Sequence, residues 1–337
     1  MKCFSLHIFT PRIITLTTGL VLLLQCVGFA WNHAGHRIIA SIAYDQLEPA
    51  VQLAMVALLK QHPRFEQDFQ SRMPDVIKAA NPTIQNRWIF MRAATWPDLA
   101  RGFNEADREK YHNSPWHYIN RPVYLDLASE QALSPALPVN LSTNPNDGTE
   151  FKKFNLLQAL EYCVSKMKDP AVSKSDKAVY LCWIMHLTGD SHQPLHSSAL
   201  FSRHTFPEGD RGGNSIRIGK SNLHSQWDRL LGSSFKYSDI VSEAVGIARN
   251  PVLKRLGEKA AQQMNYSTWI NESHQLAKSD VYTTQIREAV KQSDALQSEL
   301  KNFPSLPAVY YQKAGTIAVQ RAAQSGWRLA EVINNVQ

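Results

Sequence analysis

The sequence predicts a mainly α fold, one helical domain running over residues 31–337, with a single short β-hairpin. Apolar residues recur at helical spacing through most of the chain, strand-like alternation is confined to one stretch, and no internal repeat or linker divides it. With 337 residues, 44% of them hydrophobic, the chain can bury a sizeable core, which excludes a disordered protein.

Residues 1–30 read as a unit of their own. Lys2 and Arg12 precede the apolar run "IITLTTGLVLLLQCVGFA", which ends on small Ala30 with Gly28 two places before it. This is the pattern of a secretory signal cleaved after Ala30, and the run is slightly short for a membrane span. An uncleaved anchor and a lipidated Cys26 are rivals, the latter weakened by Gln25. Cleavage predicts a secreted or periplasmic protein with no stable membrane association. Removing Lys2 and Arg12 leaves 34 basic against 29 acidic side chains, so the net charge falls from +7 to +5. That bias favours anionic partners mildly and excludes a histone-like field.

Past the signal, "HRIIASIAYDQL" places Ile38, Ile39, Ile42 and Ala43 on one helix face, and Pro49 opens a second helix, "AVQLAMVALLKQ". "SPALPVNLSTNPNDGTE" reads as a surface loop. "FNLLQALEYCVSKMKD" and "KAVYLCWIMHLTGD" then repeat the helical period on either side of the polar break "AVSKSD". Ile216 and Ile218 alternate with polar residues in "GGNSIRIG", the expected hairpin. The tail "AGTIAVQRAAQSGWRLAEVINNV" reads as a long amphipathic helix interrupted at Gly326. Cys163 and Cys182 lie on apolar helical stretches, and either a pair or two buried thiols is compatible with them.

Polar residues at the end of an otherwise apolar helix carry the chemical signal. His186 and Asp190 are four apart and so share a helix face, and Pro194 lets the chain turn before His196. The spacing recurs at His224 and Asp228 in "NLHSQWDRLL". One such pair is an ordinary solvated face or salt bridge; two pairs plus a third histidine favour imidazole and carboxylate ligands for zinc. Upstream, Asp98 and Arg101 in "ATWPDLAR" and His117 in "SPWHYIN" each read on their own as a helix cap, a surface charge and an aromatic-cluster residue. Cleavage would also make Trp31 the first residue, with an α-amine and carbonyl able to chelate a metal together with His36. The other mature-chain histidines read as structural or solvated.

Taken in order, the terminal Trp31, "GH", "WPD", "WHY", "HLTGDSHQPLH", "GGN", "LHSQWD" and the closing "RLAEVIN" resemble the single-strand-specific zinc nucleases, the family of the fungal nucleases S-one and P-one and the plant bifunctional nucleases. The resemblance covers nearly all of residues 31–337. It implies three zinc ions: one held by Asp98, His117, His186 and Asp190; a close neighbour held by Trp31, His36 and again Asp190; and a third held by His196, His224 and Asp228. It further implies hydrolysis of single-stranded DNA and RNA to 5′-nucleotides by a metal-bound hydroxide, with 3′-nucleotidase activity; a monomer is expected, although the sequence does not fix the oligomer. Asp98 would orient or accept the proton and Arg101 would stabilise the transition-state charge. Tyr118 would stack a base, Asn120 stands where many members carry an aspartate that contacts the base edge, and Asn214 would line the base site.

Two rivals stay open at this level. A zinc-dependent phospholipase C shares fold and ligands, although those lipases use a glutamate where this chain has Asp228. A non-catalytic zinc protein is the other, and the presence of Arg101 and Tyr118 beside the ligands speaks against it.

Overall fold

The structure is a computed structural model that describes residues 31–337; the signal expected at residues 1–30 lies outside the described residues. The expected helices form. The first runs over His33–Gln46, capped by the Asn32 side chain, which accepts from the amides of Ala34 and Gly35. The second, Pro49–Leu59, has proline at its first turn. Leu156–Lys168 starts on a capping box made by Asn155 and Gln158, and Lys174–Asp190 starts on the Ser173 hydroxyl. The loop between residues 134 and 150 is laced to that capping box, since Asn155 donates to the Asn140 and Ser142 carbonyls and Gln158 to that of Asn144.

Ala308–Asn334 is one unbroken helix, so Gly326 does not interrupt it. A Cβ there would lie 2.4 Å from Ile42 Cγ2, so the glycine lets the last helix lie close against the first. The reason for the residue is interhelical packing, which a reading of helix propensity does not see.

Strand pairing is sparse. The expected hairpin forms as Arg217–Ile218 against Ser221–Asn222, antiparallel. A second pairing, not expected from the sequence, sets Arg121–Tyr124 parallel to Ser198–Phe201 with Arg121 opposite Ser198 and Tyr124 opposite Phe201. Each strand is four residues long, one contains Pro122 and the other is buried throughout, so neither shows alternation. This pairing ties the segment after His117 to the segment after His196, and the Ile119 amide extends it by donating to the His196 carbonyl at 2.8 Å.

Two hydrophobic clusters result. The larger gathers helices His33–Gln46, Leu156–Lys168, Lys174–Asp190 and Ala308–Asn334 around Trp31, Trp96, Trp116, Trp183 and Trp269; the smaller surrounds Leu195, Leu200, Leu223, Trp227 and Tyr282. Cys163 and Cys182 are buried free thiols in the larger one. Among the described residues no helix is long and apolar enough to cross a membrane. Helix Lys174–Asp190 runs through the larger cluster and the chain enters the smaller one at Leu195, so its polar end falls at the seam between the two.

Candidate metal centre

The last turns of helix Lys174–Asp190 are buried on every side, His186 and Asp190 included. Burying Trp183, Met185 and Leu187 beside them stabilises the fold by roughly 1.5–3 kcal/mol per side chain. An ionised carboxylate left alone in that setting would cost several kcal/mol, so Asp190 needs a positive partner.

Its surroundings are three imidazoles. Oδ1 lies 3.2 Å from His36 Nε2, and Oδ2 lies 3.2 Å from His117 Nδ1 and 3.3 Å from His186 Nε2. Asp98 Oδ1 approaches His186 Nε2 from another side at 3.8 Å. The two oxygens of Asp190 therefore face two neighbouring sets, His36 with His186 and Asp98 with His117 and His186. A third set joins His196, His224 and Asp228, with His224 Nε2 at 3.1 Å from His196 Nε2 and 3.6 Å from Asp228 Oδ2.

The fold fixes which ring nitrogen points inward. His186 Nδ1 donates to the Ala94 carbonyl at 2.8 Å, His196 Nδ1 to that of His117 at 2.5 Å, and His224 Nδ1 to that of Gly212 at 2.6 Å. A nitrogen that donates to a carbonyl carries the proton, so in each ring Nε2 presents a lone pair to its set. Lone pairs of His196 and His224 at 3.1 Å repel unless a cation lies between them. Buried atoms without a hydrogen-bond partner among the described residues gather at the same places: His36 Nε2, Asp98 Oδ1, Asp190 Oδ1 and Asp228 Oδ2. These residues fit divalent metal, and the imidazole and carboxylate donor set suits zinc.

Electrostatics point the same way. Burial pushes the carboxyls of Asp190 and Asp228 well above the usual carboxylate range, with Asp98 adding to the effect on both. Burial and the neighbouring His186 hold the His36 and His117 imidazoles well below the usual value. A dication inverts the carboxylate side of this balance, making the ionised acids the favoured form.

Several supports were not legible in the sequence. Gln193 Nε2 donates to Asp228 Oδ1 at 2.8 Å while its Oε1 accepts from the Leu195 amide at 2.5 Å, which orients the third set. Gly189 makes room for His36, because a Cβ there would lie 2.6 Å from His36 Nδ1. The carbonyls of Ala94, His117 and Gly212 carry no side-chain signature at all. Asn32 donates its amide to the Asp228 carbonyl at 3.1 Å and its Nδ2 to the Gly232 carbonyl at 2.7 Å. Buried Trp31 is thereby pinned between the first helix and the helix that bears Asp228.

A pocket opens over the three sets, with His117, His196 and His224 among its lining residues. Its walls carry Arg101, Tyr118, Asn120 and Asn214, so the residues singled out for substrate contact are brought to one place. Arg101 follows Asp98 in a short 3-10 turn, and its charge acts on His117, His186 and Asp190. Tyr118 is 38% exposed although its neighbours Trp116 and His117 are buried. Ser114, Leu195 and Arg211, which no sequence motif singled out, also line the pocket. The one signal for Arg211 was its place immediately before the paired glycines in "DRGGN".

The other histidines stand outside the three sets. His33 stacks on Phe235 at 3.4 Å, His62 packs on Trp96, and His192 Nε2 accepts from Arg328 at 2.9 Å.

Known nucleases are similar to this chain in sequence. Endonuclease 2 of Arabidopsis thaliana is 25% identical over 324 residues, covering 91% of this chain and 90% of its own length. Nuclease S1 of Aspergillus oryzae is 21% identical over 95% of this chain and 96% of its own. Nuclease P1 of Penicillium citrinum is 27% identical over 194 residues, 53% of this chain and 66% of its own. The sequence model described as S1/P1 Nuclease matches residues 31–337, the whole described chain, and the protein belongs to that nuclease family.

Proposed function

We propose that the protein is an exported, trinuclear zinc nuclease that cleaves single-stranded DNA and RNA to 5′-nucleotides, removes the phosphate of 3′-nucleotides at the same site, and acts as a monomer. The observation that carries the reading is convergence: three buried sets of histidine and aspartate meet beneath one pocket whose walls hold a guanidinium and an exposed aromatic ring.

Each residue has a role that follows from its position. Asp98, His117, His186 and Asp190 would hold one zinc, the Trp31 amine and carbonyl with His36 and Asp190 a second, and His196, His224 and Asp228 a third. Bound there, zinc would supply Lewis acidity toward a phosphoryl oxygen and toward an attacking water. Asp98, the least buried ligand, orients that water or takes its proton. Arg101, whose charge reaches the paired sets, offsets the charge that builds on the phosphoryl oxygens. Tyr118 offers a face on which a base stacks, a contact that a paired duplex cannot make without unstacking. Asn120 and Asn214 offer amides to the base edge, and an amide both donates and accepts. Cleavage after Ala30 would free the Trp31 amine. The hydrogen bond from the Asn32 amide to Asp228 supports this, because it pins the new terminus beside the clusters.

The test is a metal count and N-terminal sequencing on the exported protein, with assays on single-stranded DNA, RNA, a 3′-nucleotide and phosphatidylcholine. The expected result is about three zincs per chain, a chain starting at Trp31, single-strand cleavage lost on chelation and restored by zinc, and no lipid turnover. Lipid turnover without nuclease activity, or bound zinc without any turnover, overturns the reading. A chain beginning at Cys26 or at Met1 removes the amine ligand and overturns the second zinc set as drawn.

A further inference from the structure

Arg211 is built into the pocket wall by a strained turn that also serves the third metal-ligating set. Its φ is +59°, a left-handed conformation that costs a non-glycine residue about 1 kcal/mol or more. The turn is held from several directions. The Arg211 carbonyl accepts from the Asn214 amide at 3.3 Å and from its side chain at 2.8 Å. Buried Asp210 accepts from the Leu200 amide and the Tyr282 hydroxyl. Gly212 also has positive φ, and a Cβ there would lie 2.4 Å from the Leu195 carbonyl oxygen. The carbonyl of that same Gly212 orients His224.

The strain places an exposed guanidinium on the wall opposite no acidic residue of the pocket lining, with no ion pair to any described residue. The two arginines of the pocket sit at different depths. The charge of Arg101 is felt by His117, His186 and Asp190 at the paired sets, whereas that of Arg211 is felt by Tyr118. One cation thus stands beside the reacting centre and the other beside the ring proposed to stack a base.

We propose that Arg211 binds the phosphate next to the scissile one, so that the pocket holds a polynucleotide by two phosphates and distinguishes it from substrates carrying only the scissile phosphate. This rests on the nuclease reading above and adds a substrate-binding residue to it. An anionic neighbour would compensate the strained backbone, and the fork of the guanidinium suits a phosphate's paired oxygens.

The test compares wild type with Arg211→Asn and Arg211→Lys, on a short oligothymidylate and on the dinucleoside monophosphate TpT, which carries one phosphate. Asparagine tolerates the left-handed conformation, so the charge is removed without a backbone penalty, and an unchanged melting temperature verifies this. For Arg211→Asn the expected result is a KM for the oligothymidylate raised roughly fivefold at low salt, a contact of the exposed ion-pair class. The kcat on that substrate and the KM for TpT stay within about twofold, and the salt dependence of oligothymidylate binding loses slope by about 0.7, the value for one phosphate contact on a single strand. Arg211→Lys keeps most of the salt slope. Equal losses on the two substrates, a fall in kcat alone, or an unchanged salt slope overturn the inference while leaving the nuclease reading intact. A wild type that cleaves neither substrate overturns both.

Discussion

Gly189→Ala gives the sharpest test of the packing argument. The added Cβ would lie 2.6 Å from His36 Nδ1 and 2.8 Å from Cε1, so the ring must withdraw by about 0.8 Å to reach a tolerable 3.4 Å contact. It cannot yield freely, because the ring is stacked on His186 at a 3.9 Å centroid distance and the helix that bears it is buried. Two costs follow. Overpacking a filled interior costs about 1–3 kcal/mol of stability. Displacing Nε2, now 3.2 Å from Asp190 Oδ1, by most of an ångström is of the size that lowers metal affinity or turnover about a hundredfold. Gly326→Ala separates the two effects, since its Cβ would meet Ile42 Cγ2 at 2.4 Å, a comparable clash with an apolar partner that is no metal ligand. Thermal unfolding, bound-metal analysis and single-strand cleavage would be measured on both variants. With metal removed from both, the two variants should lose comparable stability; with zinc present only Gly189→Ala should lose metal, about one equivalent, and with it most of the activity. Equal metal content in the two variants would refute the reasoning.

Gln193→Leu removes the hydrogen bond to Asp228 Oδ1 with little change of volume, and affinity for one zinc, that of the set holding His196, His224 and Asp228, should fall about 10- to 100-fold in a chelator competition; an unchanged affinity would show that the orientation of Asp228 is set elsewhere. Tyr118→Ala should raise KM for every homopolymer alike, in line with about 1–3 kcal/mol of lost stacking, and a loss confined to one base would mean that the ring reads sequence instead. Asp210, raised by burial from 3.8 to about 7, binds its proton more tightly in the folded state than in the unfolded one. Its contribution is therefore fully present below about pH 4 and is lost as pH rises through about 7, a difference on the order of 4 kcal/mol. In denaturant melts with zinc in excess, Asp210→Asn should flatten that part of the profile relative to wild type, whereas parallel profiles would mean that Asp210 stays ionised throughout.

The helices were legible because each announces itself twice, through an apolar stripe and through a capping residue such as Ser173 or Asn155. The clustered polar groups on helices were legible for a related reason. His186 and Asp190, and His224 and Asp228, are polar where the helical period calls for apolar residues, and a four-residue spacing survives translation into space. Asp98 and His117 had no such periodicity, and only the resemblance of the motifs singled them out. What remained invisible was whatever acts through the backbone: the carbonyls of Ala94, His117 and Gly212, the parallel pairing of Arg121–Tyr124 with Ser198–Phe201, and the space left by Gly189. Gly326 misled for the same reason, since its role is an approach distance between helices far apart in sequence.

The same backbone contacts explain why the three sets are coupled to one another. His117 gives its ring to one set and its carbonyl to His196 of another, while Gly212 supports His224 and the turn that presents Arg211. Asn32 joins the chain at Trp31 to the carbonyl of Asp228. No set can therefore reach its geometry from a local stretch of chain: each needs segments separated by tens to more than a hundred residues, and the pocket forms only when both hydrophobic clusters have closed around the seam. Lone pairs and carboxylates gathered in that seam oppose closure until a cation arrives. Metal affinity is on this account part of the folding free energy, so chelation should lower the stability of the domain as well as its activity.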